Sequence, residues 1–415
     1  MNGPIEPGGS SGRARAVLGR RNFLAAAGLA AAGTAWAGQG VATAAGRPAA
    51  DAAGRTAAGT AGRTAAGAFA VPVDTVPHTR TWMAWPDDPA IWTGRRGGRR
   101  GGTTPSVAQI QADIALVANT IAKYEPVHLC ANPAAAAAAR RACPGGNVTV
   151  ITTVPVNDCW MRDSGPVFRT DGLGGLDAIG LNFNGWGGNQ TYTNDGKVAA
   201  RVAALVGVPF TAAGLVAEGG AIETDGAGTL MATRSSVLVS NRNPGMSQTQ
   251  AENAMKAAYG ASKVIWFTGV AGQDITGDHV DATSRFLAPG QGLVQQPNAT
   301  DDPSDVWTKD ELSQYSVLSS ATDARGVRIQ AVKLGGPDYY TIRQSDPAFV
   351  GSYANYYLCN GAVIAAQFGD ARADAAAKAK LQSLFPGRVV EQLNIDHIGL
   401  GGGGIHCVTQ PQPVP

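Results

Sequence analysis

Residues 106–130 read SVAQIQADIALVANTIAKYEPVHLC, and this stretch decides the class of fold. Ile110, Ile114, Val117 and Ile121 recur at helical spacing. They share one face of a helix predicted over Val107 to Tyr124, with Ser106 as its N-cap. Val127-His128-Leu129-Cys130 follows at once, a short apolar run bounded by proline and polar turns. Such a run reads as a strand.

The alternation continues outward. Val148-Thr149-Val150-Ile151, Ser236-Val237-Leu238-Val239 and Ala362-Val363-Ile364-Ala365 have the same strand character. Helices are expected over Asp195 to Val206, Ser247 to Tyr259 and Ala371 to Leu384. Their spacing points to about five similar units, although no sharp repeat shows in the letters. The residues themselves lead to a single α/β domain of repeated units.

With 415 residues, 44% of them hydrophobic, the chain can bury a large core. Thirty-three basic and 31 acidic residues leave a formal net charge of +2, so no strong field draws in nucleic acid. Arg95, Arg96, Arg99 and Arg100 do cluster, but among glycines, as in a surface loop.

The N-terminus reads as an address. Arg20-Arg21-Asn22-Phe23-Leu24 opens a weakly apolar Ala/Gly/Leu run that ends in Ala35-Trp36-Ala37. This resembles a bacterial twin-arginine (Tat) signal peptide over 1–37. It implies export of a folded protein to the cell envelope or beyond, with no membrane attachment after cleavage. The run is too short and glycine-rich for a good membrane span. Residues 38–68 are Ala, Gly, Thr and Arg with near-repeats, which argues for a disordered linker. The folded domain is expected over 69–415.

Five cysteines, Cys130, Cys143, Cys159, Cys359 and Cys407, match no zinc pattern of paired C-x-x-C units. An odd count leaves at least one thiol free. Cys130 and Cys143 are candidates for a pair, which the sequence leaves open.

Four polar constellations carry the chemistry. In Asn157-Asp158-Cys159-Trp160-Met161-Arg162-Asp163, carboxylates and an indole wall suit a planar cation; an internal Asp–Arg pair in a turn is the plainer reading. Glu218 precedes Gly219 and Gly220, where backbone can approach a ligand. Asp225-Gly226 is a hairpin signal. Asn241-Arg242-Asn243-Pro244 is read as fixing a loop. In Gly277-Asp278-His279-Val280-Asp281, His279 and Asp281 share a face if the segment is extended, placing a proton-transfer group beside a carboxylate. No third and fourth ligands complete a metal site there. Finally, Gly401-Gly402-Gly403-Gly404-Ile405-His406-Cys407 wraps glycines around a cysteine. Too little chain follows for the βαβ unit that a dinucleotide-binding glycine motif needs.

These groups suit one reaction. A guanidinium stays protonated at any working pH, and its planar fork suits two carboxylates. Its carbon is resonance-stabilised, so hydrolysis benefits from a covalent thiolate adduct. The leaving nitrogen needs a proton, and the incoming water must lose one; a single histidine can serve both steps.

At these residues the chain resembles the agmatine deiminase and bacterial peptidylarginine deiminase family of the guanidino-group-modifying superfamily. The resemblance spans roughly His78 to Pro411. It rests on PHTRTWMAWP (77–86), NDCWMRDSGP (157–166), FNGWGGN (183–189), EGGAIETDGAGTL (218–230), NRNPG (241–245), GDHVD (277–281), YANYYLCNG (353–361) and GGGGIHCVTQPQP (401–413). It implies a five-bladed pseudo-symmetric α/β propeller of ββαβ units around a central active-site channel. It also implies Cys407 as nucleophile, His279 as general acid and base, and Asp163 and Asp281 gripping the guanidinium beside Trp160. Glu218 and Gly220 would line the same region, while Asp158 and Arg162 support the loop. No cofactor and no metal are implied.

The expected partner is a small guanidino substrate or the arginine side chain of a peptide. TWMAWP and GGGGIHCVTQ resemble the agmatine branch. That branch fits best and implies hydrolysis of agmatine to N-carbamoylputrescine and ammonia. An export signal, the arginine-rich loop Gly94 to Gly102, and Arg234, where an acidic residue is usual, depart from it and leave peptidylarginine or another extracellular guanidino compound as the alternative. Arg234 or the loop Arg95 to Arg100 is accordingly a candidate for binding a substrate carboxylate.

Overall fold

The computed structural model describes residues 67–93 and 104–415. The leader expected over 1–37, all but the last two residues of the linker expected over 38–68, and the arginine-rich loop lie outside the described residues.

Among the described residues sixteen strands form five small sheets. The first sheet joins β1 (His78–Ala84), β2 (Val127–Cys130) and β3 (Val148–Ile151) to the last strand of the chain, β16 (Gln410–Pro413). The second contains β4 (Val167–Thr170), β5 (Leu176–Gly180) and β6 (Phe210–Ala212). The third contains β7 (Ile222–Thr224), β8 (Thr229–Thr233) and β9 (Lys263–Phe267). The fourth contains β10 (Ser284–Ala288), β11 (Gln291–Gln296) and β12 (Gln330–Gly335). The fifth contains β13 (Tyr357–Cys359), β14 (Ala362–Ala366) and β15 (Val389–Leu393).

Each sheet repeats one plan. Two strands pair antiparallel, and the second then pairs parallel with a third after a helical crossover. A parallel neighbour demands such a crossover, because a tight turn cannot return the chain to the same end. In the first sheet β16 supplies the antiparallel partner of β1, so the two ends of the domain close one blade. This is the five-bladed α/β propeller of ββαβ units that the resemblance implies.

The crossover helices follow from local chemistry. Ser106 accepts from the backbone N–H of Gln109, and the Gln109 side chain accepts from Ser106, so Val107–Ile121 opens with a capping box. Ile110, Ile114, Val117 and Ile121 are all fully buried against the first and fifth sheets. The helix stops at Ile121, one turn short of the expected Tyr124. Ser247 and Gln250 form a second capping box before Gln248–Tyr259. Asp370 caps Ala371–Leu384 through the N–H of Ala373. Asp195 to Val206 begins as a 3₁₀ turn, Asp195–Lys197, and continues as the α-helix Val198–Val206.

One expected strand is a helix. The apolar run Ser236 to Val239 predicts a strand, but Arg234–Val237 forms a helical turn after β8. The extended residues are the five just before it, already paired on both sides with β7 and β9. Ser236 Oγ donates back to the carbonyl of Thr233, the kind of local bond that turns a chain. Short apolar runs do not separate strand from buried helix by periodicity. The hairpin at Asp225 does form, with Asp225 Oδ1 accepting from the N–H groups of Ala227 and Thr229.

All five cysteines carry free thiols, Cys130 and Cys143 among them. Among the described residues no helix is long and apolar enough to cross a membrane.

Candidate active site

The segments that lead from one sheet to the next converge. Trp160 and Asp163 come from the β3–β4 connection, Glu218 and Gly220 from β6–β7, and His279 and Asp281 from β9–β10. Asn355 comes from β12–β13 and Cys407 from β15–β16. Each connection ends at the first strand of a sheet, so five repeats deliver five sets of side chains to one place. A cavity of about 480 Å³ is lined by Trp160, Asp163, Trp186, His279, Asp281 and Cys407, among others.

Cys407 sits in the turn after the helix Asp396–Gly401. Its Sγ accepts from Asn355 Nδ2 at 3.3 Å and lies 3.9 Å from Asp281 Oδ2. Asn355 Oδ1 in turn accepts from the N–H of His406 at 3.0 Å, which fixes the turn. Arg162 holds the same turn from the other side, its backbone N–H donating to the carbonyl of Cys407 at 3.1 Å. Burial, and then the charges of Asp281 and Asp163, push the thiol pKa well above its usual range. The resting cysteine is therefore a thiol.

Asp281 is fully buried. Its Oδ2 pairs with His406 Nδ1 at 2.7 Å. Its Oδ1 is buried without a hydrogen-bond partner. Desolvation would raise its pKa, but the His406 bond, the charges of His406 and His279 and then Arg285 win, so it stays ionised. A buried carboxylate oxygen left unsatisfied is costly, and a guanidinium N–H is the donor that would complete it.

Asp163 faces the same cavity. Its Oδ2 accepts from Trp186 Nε1 at 2.9 Å and its Oδ1 from the N–H of Gly220 at 3.2 Å. Burial raises its pKa to about 6; His279 opposes the rise, while Glu218 and Asp281 add to it. His279 Nε2 lies 3.2 Å from Glu218 Oε2 and its Nδ1 3.7 Å from Asp163 Oδ1. Burial alone would lower the imidazole pKa, yet the carboxylates of Asp163, Glu218 and Asp281 raise it to about 9. At neutral pH His279 is thus an imidazolium, poised to give a proton.

Glu218 is fully buried and pairs with Arg242 Nε at 2.7 Å. It backs His279 rather than lining the cavity. Arg242 thereby explains the polar run at 241–245: it fixes Glu218 and also donates to the carbonyl of Thr276 at 3.0 Å. Gly220 serves a purpose other than ligand approach. A Cβ there would lie 2.7 Å from His279 Nδ1 and 3.0 Å from both Asp163 Oδ1 and Asp281 Oδ2. Glycine is what lets three ionisable side chains meet.

His279 and Asp281 do share the site, but not by strand alternation. His279 is extended, and Val280–Ala282 is a 3₁₀ turn. The preceding residue, Asp278, holds a left-handed φ of 70°, braced by Thr233 Oγ1 donating to its carbonyl at 2.6 Å. Trp186 is similarly left-handed, at φ 54°. Such conformations cost on the order of 1–3 kcal/mol and persist where the surroundings hold them.

Asp158 supports the loop. It accepts from Trp160 Nε1 and Gln190 Nε2, both at 2.9 Å, and so orients the indole wall. Arg162 pairs with neither aspartate of its own loop; its guanidinium reaches Asp74 at 3.9 Å. Arg234 is not brought to the cavity. Its Nε donates to Gln248 at 3.0 Å and its guanidinium lies 5.7 Å from the Trp266 ring centroid. It opens the helical turn Arg234–Val237, which points it at Gln248 and Trp266. Asn355 and Trp186 are the site residues that reasoning on the sequence did not single out; His406 enters it as the neighbour of Cys407, without its bond to Asp281. Both lie inside quoted motifs, FNGWGGN and YANYYLCNG, that contain no charged residue to mark them.

Asp74, Glu223 and His406 offer ligand atoms within 4.8 Å of one another, as a metal site would. Arg285, 2.9 Å from Asp74 and 2.7 Å from Glu223, already supplies the positive charge. The cluster is an ion network.

The Porphyromonas-type peptidyl-arginine deiminase family model matches residues 70–413. A Streptomyces coelicolor relative is 37% identical over 351 residues, covering 83% of this chain and 99% of that one. The agmatine deiminase of Pseudomonas aeruginosa is 34% identical over 369 residues, covering 84% of this chain and 96% of its own. The structure of the agmatine deiminase of Enterococcus faecalis superposes with a TM-score of 0.74 at 27% identity, over 85% of this chain and 98% of that one. With a match across nearly all of its described residues, the chain belongs to the Porphyromonas-type peptidyl-arginine deiminase family.

Proposed function

We propose that the protein hydrolyses a guanidino group through a covalent Cys407 adduct, and that its substrate is agmatine, giving N-carbamoylputrescine and ammonia. The observation that carries this reading is the unsatisfied Oδ1 of the buried Asp281, a residue that lines one cavity with Asp163 and Cys407. A planar cation held between Asp163 and Asp281 presents its carbon to Sγ. The relatives named agmatine deiminases support the substrate.

Substrate charge does the activation. Burial, and then the charges of Asp281 and Asp163, keep Cys407 protonated. A guanidinium between the two aspartates offsets that charge, so the thiol releases its proton to solvent and thiolate forms as substrate arrives. Thiolate attack gives a tetrahedral adduct. His279, an imidazolium at rest, protonates the departing nitrogen, and ammonia leaves. The now neutral His279 takes a proton from water, which attacks the thiouronium-type adduct and frees the ureido product. Trp160 and Trp186 wall the cavity and exclude bulk water.

The test is a substrate panel. The purified protein is incubated with agmatine, free arginine and an arginine peptide, and ammonia and ureido product are assayed. Turnover of agmatine is expected; none would overturn the substrate. Citrulline formed in the peptide instead would move the protein to the peptidylarginine reading that the arginine pair at 20–21 favours. Export is the companion proposal. Replacing Arg20 and Arg21 by lysine should hold the full chain inside the cell; unchanged export would remove it.

A further inference from the structure

The segment before β1 does more than lead into the first sheet. It runs along the domain and meets every other sheet. Ala70 pairs with Thr170, the last residue of β4. The N–H of Val71 donates to the carbonyl of Tyr259, before β9. Val73 packs so tightly on Gly226, in the β7–β8 hairpin, that a Cβ there would lie 2.5 Å from the Val73 nitrogen. Asp74 pairs with Arg285 of β10, and the carbonyl of Thr75 accepts from Arg388, just before β15. Thr170 and the β7–β8 hairpin lie at the ends of strands that begin at the active site. The segment therefore straps the far end of the same channel. A cavity of about 590 Å³ lies against it, lined by Asp74, Arg162, Glu223 and Tyr259 among others.

One side chain of the strap reaches back toward the chemistry. Asp74 Oδ2 lies 3.1 Å from His406 Nε2, and His406 Nδ1 lies 2.7 Å from Asp281 Oδ2. The imidazole is thus clamped between two carboxylates and cannot turn without losing both bonds. Arg285 and Arg162 hold Asp74 in place, at 2.9 and 3.9 Å. Glu223, at 4.0 Å from His406 Nε2, sits on Arg285.

We propose that Asp74 is a positioning residue: through His406 it holds the Asp281 carboxylate with one oxygen committed and the other free for the substrate cation. The strap is then part of the catalytic assembly, and the guanidinium slot is complete only when it is docked. This rests on the reading of Asp281 as a guanidinium ligand, not on which guanidino compound is the substrate.

The test combines Asp74→Asn, Asp74→Glu and His406→Gln. Asp74→Asn should raise KM for the guanidino substrate and lower kcat together, with kcat/KM falling about tenfold to a hundredfold, because the slot loosens by a fraction of an ångström. A purely structural role would reduce the active fraction, hence kcat, and leave KM alone. Asp74→Glu, which restores the carboxylate, should recover most of the loss. Adding Asp74→Asn to His406→Gln should cost almost nothing further, since both act through one link. A second readout needs no turnover. 2-Chloroacetamidine carries an amidinium and alkylates a thiolate with loss of chloride, so its inactivation rate at Cys407 reports the slot directly. That rate should fall in parallel with kcat/KM. Native KM and native alkylation in folded Asp74→Asn, or additive losses in the double variant, would overturn the proposal. If Asp74→Asn does not fold, a native KM in His406→Gln overturns it equally. Intact alkylation without agmatine turnover in the unaltered protein would instead remove the substrate reading and leave the role of Asp74 standing.

Discussion

A Cβ on Gly220 would lie 2.7 Å from Nδ1 of His279, closer than real Cβ atoms come to a side chain. The two residues belong to different inter-sheet connections, so their contact sets how near the proton donor stands to Asp163 and Asp281. Gly220→Ala should push His279 outward. We expect kcat/KM to fall about a hundredfold from the misplacement alone. Overpacking should also cost on the order of 1–3 kcal/mol of stability. Steady-state kinetics and thermal melting check both; native activity would mean that the site relaxes freely.

Asp281→Asn keeps the shape but removes the charge that meets the cation. KM should rise and kcat fall together, because binding and positioning both depend on it. The Asn amide would also face His406 with altered donors. Ordinary Michaelis constants in this variant would make Asp281 a structural group.

Cys407→Ser should abolish turnover and preserve binding. Calorimetric titration with the substrate reads the second half, and mass spectrometry of quenched native enzyme should find the adduct on Cys407. Residual native-level turnover would remove Cys407 as nucleophile.

The pH profile follows from two shifted groups. Asp163 must be ionised to grip the cation, so kcat/KM should climb through about pH 6. His279 must be protonated, so it should fall through about pH 9. Stability shares the alkaline limb of this profile. The folded His279 pKa of about 9 lies above its usual 6.5, so its contribution is fully present below pH 6.5 and is lost as pH rises through 9. That contribution is on the order of 2–4 kcal/mol. Denaturant unfolding at pH 6 and pH 9.5 should show a larger loss for the native protein than for His279→Asn; equal losses would refute the shift.

Arg234→Ala should leave KM and kcat near native for every guanidino substrate, because its guanidinium stacks on Trp266 and bonds Gln248. A loss of about 1 kcal/mol in unfolding free energy is expected from that stacking. A selective rise in KM for carboxylate-bearing substrates would return Arg234 to the site.

Much of this was legible in the letters. Helical spacing from Ile110 to Ile121 and the serine before it placed a buried, capped helix. The clustering of Trp160, Asp163, His279, Asp281 and Cys407 in glycine- and carboxylate-rich turns marked the chemistry, since few cores tolerate such residues without a partner. Where reading failed, the reason is physical. The run at 236–239 is too short for its period to tell a helical turn from a strand, and pairing of the preceding five residues settled it. Arg234 is held at Gln248 and Trp266 by contacts that no local pattern encodes.

Residue types and their order determined by themselves that the chain is a repeated α/β domain holding a thiol, an imidazole and two carboxylates for a cationic carbon. Only the tertiary structure decided how they act. Glu218 backs His279 instead of facing the cavity, Gly220 is a clearance instead of a ligand contact, and Asp74 reaches His406 across 332 positions of chain. Distances and charges of that kind belong to no local segment. They exist once five sheets close on one another, because desolvation and proximity, which set every pKa at the site, are properties of the assembled cavity.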